Sequence, residues 1–236
     1  MKLLIVDNRI TEKCERTLLV RGFTLLKLPS HKKLSEAISS HPDTLIFCKD
    51  KRLITSADYC DEAAWIFNDI REYAPEVKIS FSSHSLGDKY PSDCLFNALT
   101  VKNKIFAKTD SLCPMIIDFA KERGYDICHV KQGYPACSVL TFGNSAITAD
   151  CGMADALTKN GVKVTLIRPG FISLPPHEYG FIGGASGVYD DTVYFFGDIS
   201  THPDFDKIKN AIDKEGFKWV SLSDEPLADF GGFIAP

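Results

Sequence analysis

The chain has 236 residues, a hydrophobic fraction of 44%, a charged fraction of 25% and a formal net charge of -4. That length can bury a substantial core, and the composition is that of an ordinary globular protein rather than a disordered or fibrous one. The mildly acidic balance leaves no electrostatic footprint for nucleic acid or an anionic membrane.

Residues 2–7 (KLLIVD) read as the first buried strand. The apolar run stops at Asp7, too short for a signal-peptide core, and no later run approaches a membrane span. A cytoplasmic location without membrane association is expected. A helix then runs to Gly22, and residues 23–28 form a second strand. The phrase of strand, helix and strand returns four more times. Residues 52–55, a helix carrying Ala63, Ile66, Phe67 and Ile70, and residues 76–81 make the second copy. Residues 104–109, 115–124 and 125–130 make the third; 144–150, 153–161 and 162–167 the fourth; 192–196, 208–216 and 217–222 the fifth. Apolar residues at i, i+3 and i+4 give each helix one core-facing stripe, as with Ile116, Phe119 and Ala120. Gly22, Gly124, Gly161 and Gly216 follow the helices, where glycine supplies a left-handed cap; Pro75 takes that place in the second copy.

One more strand candidate precedes or follows each copy: residues 44–48, 94–99, 136–141, 181–185 and 231–235. These segments are small and polar, which suits backbones crowding a central axis. The last has no copy after it, so it is expected to pair with residues 3–7 and close a ring. A repeat of this period dictates the architecture and must be read first. The alternative, a doubly wound nucleotide-binding sheet, lacks the Gly-x-Gly-x-x-Gly or Walker loop it needs. Residues 169–176, rich in Pro, Gly and Ser, form the longest expected loop.

Five such units around an axis resemble the pentein fold of the guanidine-modifying enzymes: arginine deiminases, dimethylarginine dimethylaminohydrolases, agmatine deiminases and amidinotransferases. Three segments carry the resemblance. QGYPACSVLTFGNSAITAD (132–150) looks like the family's third unit, which usually begins Glu-Gly-Gly-Asp. PPHEYGFIGG (175–184) looks like the segment bearing the catalytic histidine, and LSDEPLADFGGFIAP (222–236) like the closing segment bearing the nucleophilic cysteine. The implied fold class is α/β, a pentein-like (β/α)5 propeller with pseudo-fivefold ββαβ units, in one domain over residues 1–236.

In that family a thiolate attacks a guanidinium carbon, a histidine handles protons, and carboxylates grip the guanidinium nitrogens. The resemblance makes His177 the histidine; read alone, it is a solvated loop residue. The nucleophile is absent, because no cysteine follows Cys151. Gln132 stands where a glutamate is usual and cannot offset a guanidinium charge. Cys137, in an axial segment of another unit, is the substitute thiol the ring would offer; read alone, it is a buried structural cysteine. Cys94, in YPSDC, echoes YPAC and marks a repeated packing position. Asp93, Glu178 and Asp229 are the candidate carboxylates, each otherwise a turn or cap residue.

The eight cysteines form no Cys-x-x-Cys pair, so neither a zinc site from close pairs nor a disulfide framework is expected. His31, His41, His84 and His202 read as surface residues without a second ligand at metal spacing. No metal and no cofactor is expected, and SSHS (82–85) has no nucleophile elbow around it. The functional expectation is a divergent guanidine-modifying pentein that binds or hydrolyses a small guanidinium- or amide-bearing ligand in the axial channel. The alternative is a non-catalytic binding or assembly protein on the same fold. Oligomeric state does not follow from these residues.

Overall fold

A computed structural model describes residues 2–236 as five units whose inner segments meet one another at the centre, here called the axis. The first holds β1 (Lys2–Asp7), α1 (Glu12–Val20) and β2 (Phe23–Leu28). A one-turn helix, α2 (Pro42–Leu45), leads to β3 (Phe47–Lys49), β4 (Arg52–Ser56), α3 (Ala57–Glu62), α4 (Ala64–Tyr73) and β5 (Lys78–Ser82). The third unit is β6 (Leu99–Val101), β7 (Lys104–Ala107), α5 (Pro114–Arg123) and β8 (Asp126–His129). A second one-turn helix, α6 (Pro135–Ser138), precedes β9 (Val139–Phe142), β10 (Ser145–Thr148), α7 (Cys151–Lys159) and β11 (Lys163–Leu166). The fifth is β12 (Ser186–Tyr189), β13 (Thr192–Phe195), α8 (Phe205–Lys214) and β14 (Lys218–Ser221), and β15 (Phe233–Ile234) ends the described chain.

Every unit contributes one three-stranded sheet with the same plan. A central strand pairs antiparallel with the axial strand and parallel with the strand that follows the helix. The parallel pair needs a crossover, and the helix supplies it. The first sheet is completed by the other end of the chain: β15 pairs antiparallel with β1, Ile5 opposite Ile234 and Val6 opposite Phe233. The five sheets stay separate and do not join into one continuous sheet, so the doubly wound alternative is excluded.

Local chemistry explains the elements. β1 is buried from Leu3 to Asp7, as a strand covered on both faces should be. Thr11, Ser56 and Asp150 cap α1, α3 and α7 by accepting backbone N–H groups. Gly22, Gly124, Gly161 and Gly216 follow helices at φ of 83°, 72°, 75° and 77°, the left-handed cap the sequence pattern requires. The core is divided among the wedges between units rather than gathered in one mass. One cluster joins the second and third units through Phe67, Phe96 and Phe119, and another joins the fourth and fifth through Ile147, Phe195 and Ile212.

The axial segments differ from expectation in one systematic way. Each was expected to be extended from its first residue, but the strand begins later: at Phe47, Leu99, Val139, Ser186 and Phe233. A turn or a one-turn helix comes first. Cys137 therefore sits on α6 and not on a strand. Small residues crowding the axis leave room for a tight turn, and Pro42 and Pro135 start a helix without needing a donor. A repeated hydrogen bond fixes this junction. Thr55 Oγ1 donates to the Leu45 carbonyl and Thr148 Oγ1 to the Ser138 carbonyl, both at 2.8 Å and both buried. Thr148→Val keeps the shape but strands the Ser138 carbonyl, so a loss of about 1–3 kcal/mol in urea denaturation is expected.

Candidate functional site

The axial strands run between two cavities. Their later residues, including Phe47, Leu99, Leu140, Gly187 and Phe233, line a cavity of about 220 Å³ whose ionisable groups are Asp43 and Cys48. The residues before the strands line a larger one of about 570 Å³. The structure brings all six residues singled out in the sequence to this larger cavity: Asp93, Gln132, Cys137, His177, Glu178 and Asp229. His177 and Glu178 are exposed at its rim, and Cys137 and Asp229 are buried at its floor. His177 forms no hydrogen bond or ion pair with Cys137.

Gln132 is committed to structure. Its Nε2 donates to Asp150 Oδ2 at 2.7 Å and its Oε1 accepts from the Tyr134 N–H at 3.1 Å. Asp93 is the opposite case: it is 9% exposed, and its Oδ1 has no hydrogen-bond partner. Tyr134 stands beside it, and burial followed by the Asp93 carboxylate pushes the Tyr134 phenol well above its ordinary value. Tyr90, Tyr179 and Phe181 add aromatic wall, and no lysine or arginine lines the cavity among the described residues. Cys94, which echoes Cys137 in sequence, lies outside it and donates to the Pro91 carbonyl at 3.0 Å.

The floor holds residues that sequence reasoning misplaced. His41 was expected at the surface but is fully buried, as are His31 and His202 within 2%. Only His84 of that group is exposed. His41 is carried inward because it leads α2, which packs at the axis; His31 turns in to Glu62 at 3.1 Å, and His202 Nδ1 accepts from the Asp204 N–H at 3.0 Å. His41 Nδ1 lies 3.8 Å from Asp229 Oδ1, and its Nε2 lies 3.8 Å from Asp7 Oδ2. Asp7 is held by the Arg9 guanidinium, at 3.0 Å to Oδ1 and 2.6 Å to Oδ2, and by Ser40 Oγ at 3.0 Å. Asp229 accepts the backbone N–H of Phe181 at 2.8 Å and of Gly231 at 3.0 Å. Asp43, also missed, accepts from the Cys137 thiol at 2.6 Å.

Electrostatics at the floor follow from dehydration. Burial, then the Asp43 and Asp229 carboxylates, pushes the Cys137 thiol well above its ordinary value. Burial, then Asp229, does the same to Asp43. Asp229 is raised by burial against the pull of His41, and His41 is lowered by burial against the pull of Asp229 and Asp7. At neutral pH the thiol keeps its proton and the imidazole is neutral.

The fold is that of the pentein enzymes. Dimethylarginine dimethylaminohydrolase from Pseudomonas aeruginosa, complexed with citrulline, superposes with a TM-score of 0.59 at 10% identity, over 94% of this chain and 92% of that one. An amidinotransferase of saxitoxin biosynthesis from Microseira wollei gives 0.59 at 10% identity, over 100% and 94%. Agmatine deiminase from C. jejuni gives 0.58 at 7% identity, over 94% and 87%. No curated protein sequence matches the chain. By sequence the chain belongs to a family of unknown function, DUF6873, whose model matches residues 5–234. Among the described residues, no helix is long and apolar enough to cross a membrane.

Proposed function

We propose that this protein binds a small organic cation bearing a guanidinium group in the larger axial cavity. The wall composition carries the reading: three carboxylates, four aromatic rings besides the histidines, and no cationic side chain. Carboxylates pair with guanidinium N–H groups in charge-assisted bonds, and aromatic faces attract cations. Asp93 is the strongest contact because its buried Oδ1 is free to accept. The relatives with this fold, named for dimethylarginine, agmatine and amidino transfer, support the same ligand class.

Calorimetric titration with methylguanidinium, agmatine and their neutral urea counterparts tests it. The guanidinium compounds are expected to bind and the ureas not to. Asp93→Asn is expected to weaken binding at least tenfold, since a bond to a charged group contributes about 1.5–3 kcal/mol. Equal binding of guanidinium and urea, or no binding at millimolar concentration, would overturn the proposal.

A second reading, covalent chemistry at Cys137, is favoured by His41 lying within 4.8 Å of its thiol. The protonated thiol argues against it, because a thiolate is the nucleophile. Iodoacetamide labelling near neutral pH separates the two. Modification of Cys137 no faster than of Cys14 or Cys113, which are equally buried, removes the nucleophile.

A further inference from the structure

We propose that His41, Cys137 and Asp229 form a three-ligand site for a divalent transition metal of the zinc class. One imidazole nitrogen, the thiol sulfur and one carboxylate oxygen all lie within 4.8 Å of one another, and all three residues are buried. A mixed nitrogen, sulfur and oxygen set suits a borderline-soft ion such as zinc rather than magnesium or calcium. Modest convergence of the side chains closes the set around an ion.

His41 provides the independent observation. Its side chain is 0% exposed, and neither ring nitrogen has a hydrogen-bond partner. A buried polar atom normally finds a partner, so an orphaned imidazole between a thiol and a carboxylate calls for one. Nδ1 faces Asp229 and is the ligand atom. Nε2 faces Asp7, so the Nε2–H is aimed at a carboxylate fixed by Arg9 and Ser40. A carboxylate behind the ligating histidine sets its tautomer and strengthens the ligand. All three ligands line the larger cavity, so a fourth coordination position faces its interior.

Binding is written with its proton. The Cys137 S–H bond breaks and a metal–sulfur bond forms; the proton leaves to solvent. His41 supplies a ring-nitrogen lone pair and Asp229 one carboxylate oxygen. No oxidant or reductant is involved. The three ligands come from three different junctions between units, which is why no close pair along the chain announces them.

Cobalt titration into chelator-treated protein, without any guanidinium compound, is the test. One equivalent is expected to give a thiolate-to-cobalt charge-transfer band and the visible bands of a low-coordinate ion, both erased by zinc. Cys137→Ser is expected to lose the charge-transfer band, and Asp7→Asn to weaken cobalt at least tenfold while keeping its spectrum. Cys151→Ser, at an exposed thiol, keeps the wild-type titration. Zinc is also expected to raise the melting temperature of the wild type but not of Cys137→Ser, since an ion that binds only the native state stabilises it. Absence of the charge-transfer band in wild type overturns the proposal. So does a band that survives Cys137→Ser, which would mark a surface thiol. The calorimetry with guanidinium ligands uses the Asp93 wall, so each result stands or falls without the other.

Discussion

Gly183→Ala is expected to destabilise the protein by about 3 kcal/mol or more, the upper end for overpacking a filled interior, and to abolish cation binding. A Cβ at this position would meet three backbone carbonyl oxygens: that of Ala136 most closely, Cys137 at 2.6 Å and Val139 at 2.7 Å. A flexible side chain could swing aside, but these oxygens belong to α6 and the start of β9. Gly184 also donates to the Cys137 carbonyl at 2.9 Å, so the two segments are tied at the point of contact. Relief requires the Cys137 turn to move off the axis, which takes the cavity floor with it. Urea denaturation reads the first effect and calorimetry with a guanidinium ligand the second. A variant with the wild-type midpoint would show that the axis is not close-packed at Gly183. A destabilised variant with unaltered binding would detach the cavity from the Gly183 contact.

The architecture was legible because it is written in repeated local signals. Helix-ending glycines, capping residues and i, i+3, i+4 stripes recur in register, and each is a property of a few neighbouring residues. The pairing of the closing strand with β1 was legible too, because an axial segment without a following unit must find a partner elsewhere. The starts of the axial strands were not. Residues 136–141 and 94–99 contain β-branched or aromatic residues and read as extended. In residues 136–141 the buried Thr148 overrides them by holding the Ser138 carbonyl just before the strand. That contact joins the one-turn helix α6 to β10 and has no signature in either.

The cavity residues divide the same way. His177, Glu178 and Asp229 stood in segments with family-like spacing, and Cys137 in an axial segment, so their convergence on one cavity could be read from the repeat. His41 could not, because its segment SHPD looks like any surface turn. Only burial of α2 against the closing segment shows that this histidine faces Asp229 and Asp7. Asp43 was hidden for the same reason, since its partner, Cys137, is 94 positions away. Ion-binding motifs are recognised by spacing along one element, whereas a ring of five units builds its centre from residues that share no element.

The thiols are expected to lower the protein's stability in alkali. Six of the eight cysteines are raised from their ordinary value, with burial the first cause in each. Four of them sit in or against the core: Cys14, Cys94 and Cys137 are at most 3% exposed, and Cys48 is pushed up to about 12. In the native state these groups hold their protons to higher pH than in the unfolded chain, where they ionise from about pH 8.5. The unfolded state therefore binds fewer protons above that pH, and stability falls as pH rises. The stabilisation is fully present below about pH 8.5 and is lost progressively above it, by up to about 1.4 kcal/mol per pH unit for each thiol. Cys48 and Cys137, the two pushed furthest, give a loss of up to about 3 kcal/mol between pH 9 and pH 10, a sizeable share of the 5–15 kcal/mol typical of a folded domain. The tyrosines act in the same direction at higher pH, with Tyr125 pushed up to about 12. Urea midpoints measured from pH 8 to pH 10 in the presence of a reductant test this, and Cys137→Ser is expected to flatten the curve by about one thiol's share. A midpoint that stays level across that range would mean that these sulfurs are hydrated in solution, and the dry axial floor on which Cys137 and Asp43 depend would have to be given up.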